Sequence, residues 1–175
     1  MAKIILVYST TDGHTRKISE RIKYVLEKQA HEVKIISIDD ESGVDLNSFD
    51  KIVLGASIRY GKHSRQVYEF VKKHRIVLDK RPNAFFSVNL VSRKPEKCSP
   101  DTNPYLRKFL KHISWVPGEI ALFAGKLDYG MYNFIDRLMI QLIMLITKGP
   151  IDPATKVEFT DWSKVDEFGI TVSKM

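Results

Sequence analysis

A short segment near the start of the chain carries the residue types that bind a phosphate group. Residues 9–15 read Ser-Thr-Thr-Asp-Gly-His-Thr, which places four hydroxyl groups and one glycine directly before a predicted helix. Backbone N–H groups at a helix N-terminus attract anions, and hydroxyl groups add hydrogen bonds to phosphate oxygens. An ordinary Ser/Thr-rich turn with N-capping is the alternative. The apolar run directly before the segment favours phosphate binding, for which the candidates are Ser9, Thr10, Thr11, Asp12, Gly13, His14 and Thr15.

Two members of this loop need separate expectations. Asp12 is an anion beside a proposed anion site, so we expect it to cap the turn or to face outward. His14 is expected to be a hydrogen-bond donor of the loop and not a catalyst. The loop has no Lys or Arg before Arg16. It therefore lacks the lysine of the nucleoside-triphosphate P-loop, and its single glycine is too few for the dinucleotide fingerprint.

Two later segments carry side chains that suit a planar ring. Tyr60 offers a stacking face, Gly61 permits close backbone approach, and Asn89 can both donate and accept hydrogen bonds. A packed tyrosine and a turn asparagine are the structural alternatives. The candidate residues of these segments are Ala56, Ser57, Ile58, Arg59, Tyr60 and Gly61, and then Ser87, Val88, Asn89, Leu90 and Val91.

The elements that position these loops alternate between strand and helix. Strands are predicted at 4–8, 33–38, 51–56, 84–91 and 119–124, and a short one at 157–160. Helices are predicted at 15–28, 66–74, 104–113 and 133–147, and a last one begins after the N-cap Asp161 and runs to about 173. This alternation predicts one doubly wound α/β domain over residues 1–175, with a five-stranded parallel sheet. Ligands of such sheets bind beyond the carboxyl ends of the strands, where the three loops would meet. Residues 92–103 are expected to form a surface loop at that edge.

Composition restricts the partners and the compartment. The formal net charge of +7 and the pI near 9.4 favour anionic partners. The one cysteine, Cys98, allows no internal disulfide, and no Cys/His cluster has the spacing of a metal site. No signal peptide, bilayer-spanning segment or nucleic-acid recognition motif is evident, so nucleic acid is not expected as a partner.

Residues 133–147 form an unusually apolar predicted helix. Every residue from Leu138 to Ile146 except Gln141 is apolar, and Arg137 and Lys148 flank this run. The helix is too short to span a bilayer. It could lie in the membrane interface or face a quinone, and burial in the core or at a dimer contact is an equal alternative.

Several segments resemble a known family. Residues 7–15 resemble the phosphate loop of the flavodoxin superfamily, with one extra residue, Asp12, before Gly13. Longer segments at 55–61, 86–97 and 132–140 are similar to the quinone-dependent protoporphyrinogen IX dehydrogenases of bacteria. The likeness extends over nearly the whole chain and ends in Thr160-Asp161-Trp162.

The resemblance implies a flavodoxin-like fold with an extra apolar helical insertion near the fifth strand. It also implies an FMN enzyme of haem biosynthesis that oxidises protoporphyrinogen IX and reduces menaquinone or ubiquinone. Such an enzyme is expected in the cytoplasm, peripherally associated with the inner face of the cell membrane. Arg93, Lys94 and Lys97 are candidates for binding the substrate's propionates, and a solvated basic loop is their alternative. No catalytic residue and no oligomeric state are predicted.

A flavodoxin-like electron carrier without its own organic substrate is the competing function. Shuttle flavodoxins are acidic as a family, so the net charge of +7 favours the dehydrogenase.

Overall fold

The computed structural model describes all 175 residues of the chain. Its strands are β1 Lys3–Ser9, β2 Glu32–Ser37, β3 Lys51–Arg59, β4 Lys62–His63, β5 Asn83–Asn89, β6 Glu119–Ala124, β7 Lys126–Asp128 and β8 Lys156–Glu158. Its helices are α1 His14–Lys28, α2 Arg65–Lys80, α3 Pro104–His112, α4 Phe134–Ile146 and α5 Trp162–Lys174.

Five parallel strands form the central sheet in the order β2-β1-β3-β5-β6. The central strands are apolar along their length because helices cover both faces of the sheet. In β1, for example, Ile4, Ile5, Leu6 and Val7 are fully buried. The predicted flavodoxin-like fold class and its five-stranded sheet are confirmed.

Two hydrophobic cores fill the space between the sheet and its helices. On one face, α1 and α5 contribute Ile22 and Phe168, which pack with Leu6 of β1. On the other face, α2 and α3 contribute Phe70 and Phe109. The helix predicted at 66–74 is longer than expected, because Leu78 extends the buried face of α2 by a further turn.

A two-residue turn joins β3 to the short antiparallel strand β4. Tyr60 and Gly61 occupy the turn with φ angles of 51° and 75°. Positive φ at both positions is the signature of a type I′ turn, which matches the twist of the flanking strands. Tyr60 therefore stands exposed at the tip of the hairpin, next to the carboxyl end of the sheet.

A small layer beyond β6 holds the apolar helix α4. The antiparallel pair β7–β8 packs with α4 through Leu127, Tyr129, Tyr132 and Met144. Asn133 caps α4 by accepting a hydrogen bond from the Asp136 amide. No helix combines the length and the apolar character needed to cross a membrane.

The loop predicted at 92–103 contains two short 3₁₀ turns, Leu90–Arg93 and Pro95–Lys97. The strand predicted to run to Val91 ends at Asn89, because the Asn89 side chain accepts hydrogen bonds from the amide and hydroxyl of Ser92 and turns the chain. Asn103 then donates to Ser92 and to the Lys97 carbonyl. This network fixes the loop at the carboxyl edge of the sheet.

Candidate functional site

The three predicted loops meet in one cleft at the carboxyl edge of the sheet. The cleft is concave and combines polar loop residues with apolar side chains, as ligand-binding clefts commonly do. The loop after β1, the β3–β4 hairpin and the segment after β5 line one part of it. The remaining wall comes from the start of α3, from β7 and from α4.

The start of α1 presents free hydrogen-bond donors to an anion. Gly13 precedes the helix with φ of 80°, and no side chain caps the first turn. The amides of His14, Thr15 and Arg16 donate to no carbonyl, and the first helical bond runs from the Lys17 amide to the Gly13 carbonyl. No atom lies within 4 Å of the position that a Gly13 side chain would take. Together with the helix dipole, these features are those that favour an anion at a helix N-terminus, and phosphate binding here stays a prediction.

Three buried polar atoms on the cleft-lining residues have no partner within the chain. They are the hydroxyls of Thr10 and Thr15 and the side-chain nitrogen Nδ2 of Asn89. Buried polar groups are nearly always hydrogen-bonded, and leaving one unpaired costs about 1–3 kcal/mol. The unpaired hydroxyls at one end and the unpaired amide beside β5 therefore indicate a ligand that is polar at both places.

An ionic network connects α4 with the hairpin. Arg59 donates to Asp12 at 3.0 Å and also to Asp136, and Tyr60 donates its hydroxyl to the other oxygen of Asp136. The hydrogen bond from Tyr60, aided by Arg59, holds the pKa of Asp136 below its usual value although burial opposes this. Burial works against the charge of Arg59, but Asp12 and Asp136 outweigh it and raise the pKa of Arg59. Asp12 does not cap the helix; it is exposed, as the second expectation had it, and its carboxylate is paired with Arg59.

Comparison with known sequences identifies the family. The flavodoxin domain family matches residues 5–154. The protoporphyrinogen IX dehydrogenase (quinone) of Escherichia coli strain K12 is 40% identical over 173 residues, which are 99% of this chain and 96% of that protein. The protein of the same name from Leishmania major is 42% identical over 167 residues, which are 95% of this chain and 72% of that protein. The chain belongs to the flavodoxin-like protoporphyrinogen IX dehydrogenase family.

Solved structures confirm the fold independently of close sequence likeness. The solution structure of two-electron reduced Megasphaera elsdenii flavodoxin aligns with a TM-score of 0.60 at 13% identity, covering 98% of this chain and 99% of that one. Oxidised flavodoxin 2 from Bacillus cereus aligns with a TM-score of 0.57 at 16% identity, covering 99% of both chains. Family membership and the free donors in the cleft both support a flavin cofactor.

Most of the predicted cofactor residues line the cleft of this family member, and four do not. Ser9 lies outside it, and its hydroxyl is hydrogen-bonded to that of Ser64. Gly13 shapes the loop without lining the cleft. Ala56 is buried in the core. Ser87 is also buried, and its hydroxyl oxygen lies 2.9 Å from Nε2 of His63. The predicted cofactor residues that do line the cleft are Thr10, Thr11, Asp12, His14, Thr15, Ser57, Ile58, Arg59, Tyr60, Gly61, Val88, Asn89, Leu90 and Val91.

The ring of His14 is a hydrogen-bond donor, and its partner lies within the protein. Its Nε2 lies 2.6 Å from the hydroxyl oxygen of Thr160, and that hydroxyl donates to the Ala124 carbonyl. The His14 ring therefore donates its Nε2 proton to Thr160, because the hydroxyl proton is already used. Burial lowers the pKa of His14. The neutral ring joins the loop to the segment before α5, and the backbone amide of His14 remains the group available to a phosphate.

The basic residues predicted to bind propionates lie outside the cleft. Arg93 donates to the carbonyls of Leu90 and Thr147 and to the Thr147 hydroxyl. It thereby attaches the C-terminal end of α4 to the loop after β5. Lys97 is exposed and Lys94 is partly exposed, so both are accessible, and their contact with substrate stays a prediction.

The wall contributed by β7, α4 and the start of α3 was not anticipated. Ligands of parallel sheets bind beyond the carboxyl ends of the strands, so the prediction covered the loops there and not an inserted layer. Asp136 could have been recognised from the sequence, because it is an acidic residue in the first turn of a mostly apolar helix. The lining residues missed were Tyr105, Gly125, Lys126, Asp128, Met131, Tyr132, Asp136, Met139, Ile140 and Ile143.

Proposed function

We propose that the chain, as one domain of residues 1–175, is an FMN-dependent protoporphyrinogen IX dehydrogenase of haem biosynthesis. It would convert protoporphyrinogen IX to protoporphyrin IX and pass the electrons to a quinone. The observation that carries the proposal is a single cleft that combines unpaired polar donors with an apolar wall. The unpaired donors suit a flavin phosphate and ring, and the apolar wall suits an apolar tetrapyrrole or quinone. The dehydrogenase name of relatives that share 40–42% of the sequence supports the assignment.

FMN would supply partners for the unpaired polar atoms of the cleft. The amides at the start of α1 and the hydroxyls of Thr10, Thr11 and Thr15 would hold its phosphate. Tyr60 would lie against the ring, and the free Nδ2 of Asn89 would donate to a polar ring edge. When bound, the isoalloxazine ring supplies the redox chemistry of the reaction.

The protein's own residues position the reactants and exclude water. Met139, Ile140 and Ile143 of α4 line the cleft opposite the polar loops. Such an apolar wall keeps bulk water from the reacting groups and strengthens electrostatic interactions inside the cleft. No side chain is assigned as a general base.

The outer face of α4 is proposed to lie on the cytoplasmic face of the cell membrane, where menaquinone or ubiquinone is dissolved. Leu138, Leu142 and Leu145 are 60%, 52% and 62% exposed, so this face is not part of the core. An amphipathic helix with basic flanks inserts its apolar face into the interface of an anionic bilayer.

Anaerobic turnover tests the proposed function. FMN-loaded protein, protoporphyrinogen IX and a quinone are mixed without oxygen, and the appearance of porphyrin fluorescence is followed. Porphyrin should form only when protein, FMN and quinone are all present. An electron carrier without an organic substrate would produce none above the rate measured without protein.

A further inference from the structure

A second groove lies across the β3–β4 hairpin from the flavin cleft. It is bounded by the hairpin, by the N-terminal part of α2 and by Lys108 and His112 of α3. Thr11, Ser57, Arg59 and Tyr60 line both the groove and the cleft, so the two are continuous around the hairpin. The remaining residues that line only the groove are Ser9, Lys62, His63, Ser64, Arg65, Tyr68, Lys108 and His112.

The lining of this groove is cationic and contains no carboxylate. Lys62 comes from β4, Arg65 from α2 and Lys108 from α3. Lys62 and Lys108 have no acidic partner, whereas Arg65 is paired with Glu69 on its own helix. Arg59, on the shared wall, is already neutralised by Asp12 and Asp136. The free cations therefore lie on the side of the groove away from the flavin cleft.

A buried ring nitrogen of a groove-lining residue has no hydrogen-bond partner in the chain. His63 is 1% exposed, and its Nε2 lies 2.9 Å from the Ser87 hydroxyl, while its Nδ1 is unpaired. Burial lowers the pKa of His63 to about 3, so the ring is neutral at physiological pH. If the Ser87 hydroxyl donates to Nε2, the proton sits on Nδ1 and that nitrogen becomes a free donor. The cations carry the argument for an anionic ligand, and the unpaired ring nitrogen is a further polar atom in the lining without a partner in the chain.

We propose that this groove binds the propionate carboxylates of the tetrapyrrole substrate. The assignment rests on the proposed function and adds to it the place where the substrate's charged edge lies. The cleft with its α4 wall suits the apolar macrocycle, but its free donors are taken by the flavin. A tetrapyrrole over the hairpin tip would keep its macrocycle at the cleft and extend its carboxylates past Tyr60 toward Lys62, Arg65 and Lys108. Each exposed ion pair of this kind contributes modestly, so several must act together.

Binding of a non-reacting porphyrin tests the groove without requiring turnover. The probes are protoporphyrin IX and its dimethyl ester, which lacks the carboxylate charges, and the readout is quenching of porphyrin fluorescence by FMN-loaded protein. The test variant is K62Q/R65Q/K108Q. The matched control is K34Q/K72Q/K80Q, which removes the same charge from exposed lysines that line neither cavity. A second variant, K94Q/K97Q, examines the basic loop after β5.

The wild-type protein should bind the diacid more tightly than the ester, and salt should reduce the difference. The groove variant should lose about tenfold in affinity for the diacid and little for the ester, while the control and K94Q/K97Q keep the preference. Equal binding of diacid and ester by the wild type, or loss of the preference only in K94Q/K97Q, would overturn the groove assignment and leave the proposed function intact. Failure to bind either porphyrin would instead contradict the proposed function itself.

Discussion

The hydroxyl of Tyr60, at the tip of the β3–β4 hairpin, donates a hydrogen bond to the carboxylate of Asp136 in the first turn of α4. Arg59 donates to the same carboxylate from the last position of β3. One buried acid therefore joins the apolar helix to the hairpin that forms a wall of the flavin cleft. The exposed face of α4 and the ring of Tyr60, which lines the cleft, are parts of one connected unit.

Replacing Asp136 with asparagine should loosen α4 from the hairpin. Asparagine keeps the shape of the side chain but removes the charge that Arg59 and Tyr60 stabilise. Hydrogen exchange of the α4 amides should become faster, while exchange in β1 and β5 stays unchanged, because the central sheet does not depend on this contact. Asp101→Asn is the matched control, since Asp101 is exposed and its side chain makes no hydrogen bond. Equal exchange rates in the two variants would show that Asp136 does not hold the helix.

Thr15→Val should separate flavin binding from stability. The Thr15 hydroxyl is buried and unpaired, so valine removes an unsatisfied group at nearly constant volume, and apo-protein stability in urea should not decrease. FMN affinity should fall by roughly 1.5–3 kcal/mol if the hydroxyl donates to the phosphate. Riboflavin affinity should change little, because riboflavin has no phosphate. Equal weakening of FMN and riboflavin, measured against the surface control Thr171→Val, would remove Thr15 from the phosphate site.

Much of the sheet could be predicted because burial on two faces leaves a direct signature. Residues 4–7 are an unbroken apolar run, and β1 is buried there on both sides. The place of the loop at residues 9–15 could also be predicted, since hydroxyls and a glycine stand between that strand and an amphipathic helix, and its binding of a phosphate stays a prediction. Asp161 was predicted to cap the last helix, and this is confirmed, because its side chain accepts hydrogen bonds from the amides of Ser163 and Lys164.

The rest depended on contacts that sequence patterns do not encode. The hairpin turn was not recognised because its first residue, Tyr60, is not a type that usually takes positive φ. The orientation of α4 could not be decided either, because a helix that is apolar on nearly all sides fits burial and lipid equally well. The structure leaves only Asp136 and Met144 of this helix buried. Arg93 also reaches Thr147, which lies 54 residues further along the chain and beyond any local pattern.

The free energy of unfolding should fall as the pH decreases, and the buried ring of His63 should account for part of this pH dependence. Its pKa is about 3 in the folded state and about 6.5 in an unfolded chain, so the unfolded chain binds more protons between these values. The stabilisation that the neutral His63 ring contributes is complete above pH 6.5. It is lost as the pH falls toward 3, at about 1.4 kcal/mol per pH unit. Urea unfolding at several pH values should show a smaller slope in His63→Gln. Some slope should remain, since burial also lowers the pKa of His14 and His31. An unchanged slope would contradict the buried neutral state of His63.

Leu142→Gln with Leu145→Gln should weaken membrane association without unfolding the protein. Both side chains are exposed, so their replacement removes little buried contact. Full burial of a leucine in an apolar phase is worth roughly 1.5–3 kcal/mol, so partial insertion of two predicts about a tenfold loss in sedimentation with anionic liposomes.

The matched control for α4 is Ile76→Gln with Val116→Gln, two similarly exposed apolar residues elsewhere on the surface. The α4 variant should also slow turnover with a long-chain quinone more than with a water-soluble acceptor. Equal liposome binding by the two variants, or a loss of folding stability confined to the α4 variant, would indicate that the helix is covered by protein and not by lipid.

Anaerobic stopped-flow spectroscopy of the FMN-loaded protein tests the central claim most directly, because it observes the two halves of the reaction at the flavin. Protoporphyrinogen IX should bleach the absorbance of the oxidised flavin at a rate that saturates with substrate. Full conversion to porphyrin removes six electrons and one flavin accepts two, so porphyrin should accumulate only as a quinone reoxidises the flavin between successive reductions. Addition of a quinone should then restore the flavin absorbance. An oxidised flavin that stays unbleached by protoporphyrinogen IX, in a protein that a chemical reductant bleaches fully and a quinone reoxidises, would contradict the dehydrogenase and leave a flavodoxin-like electron carrier.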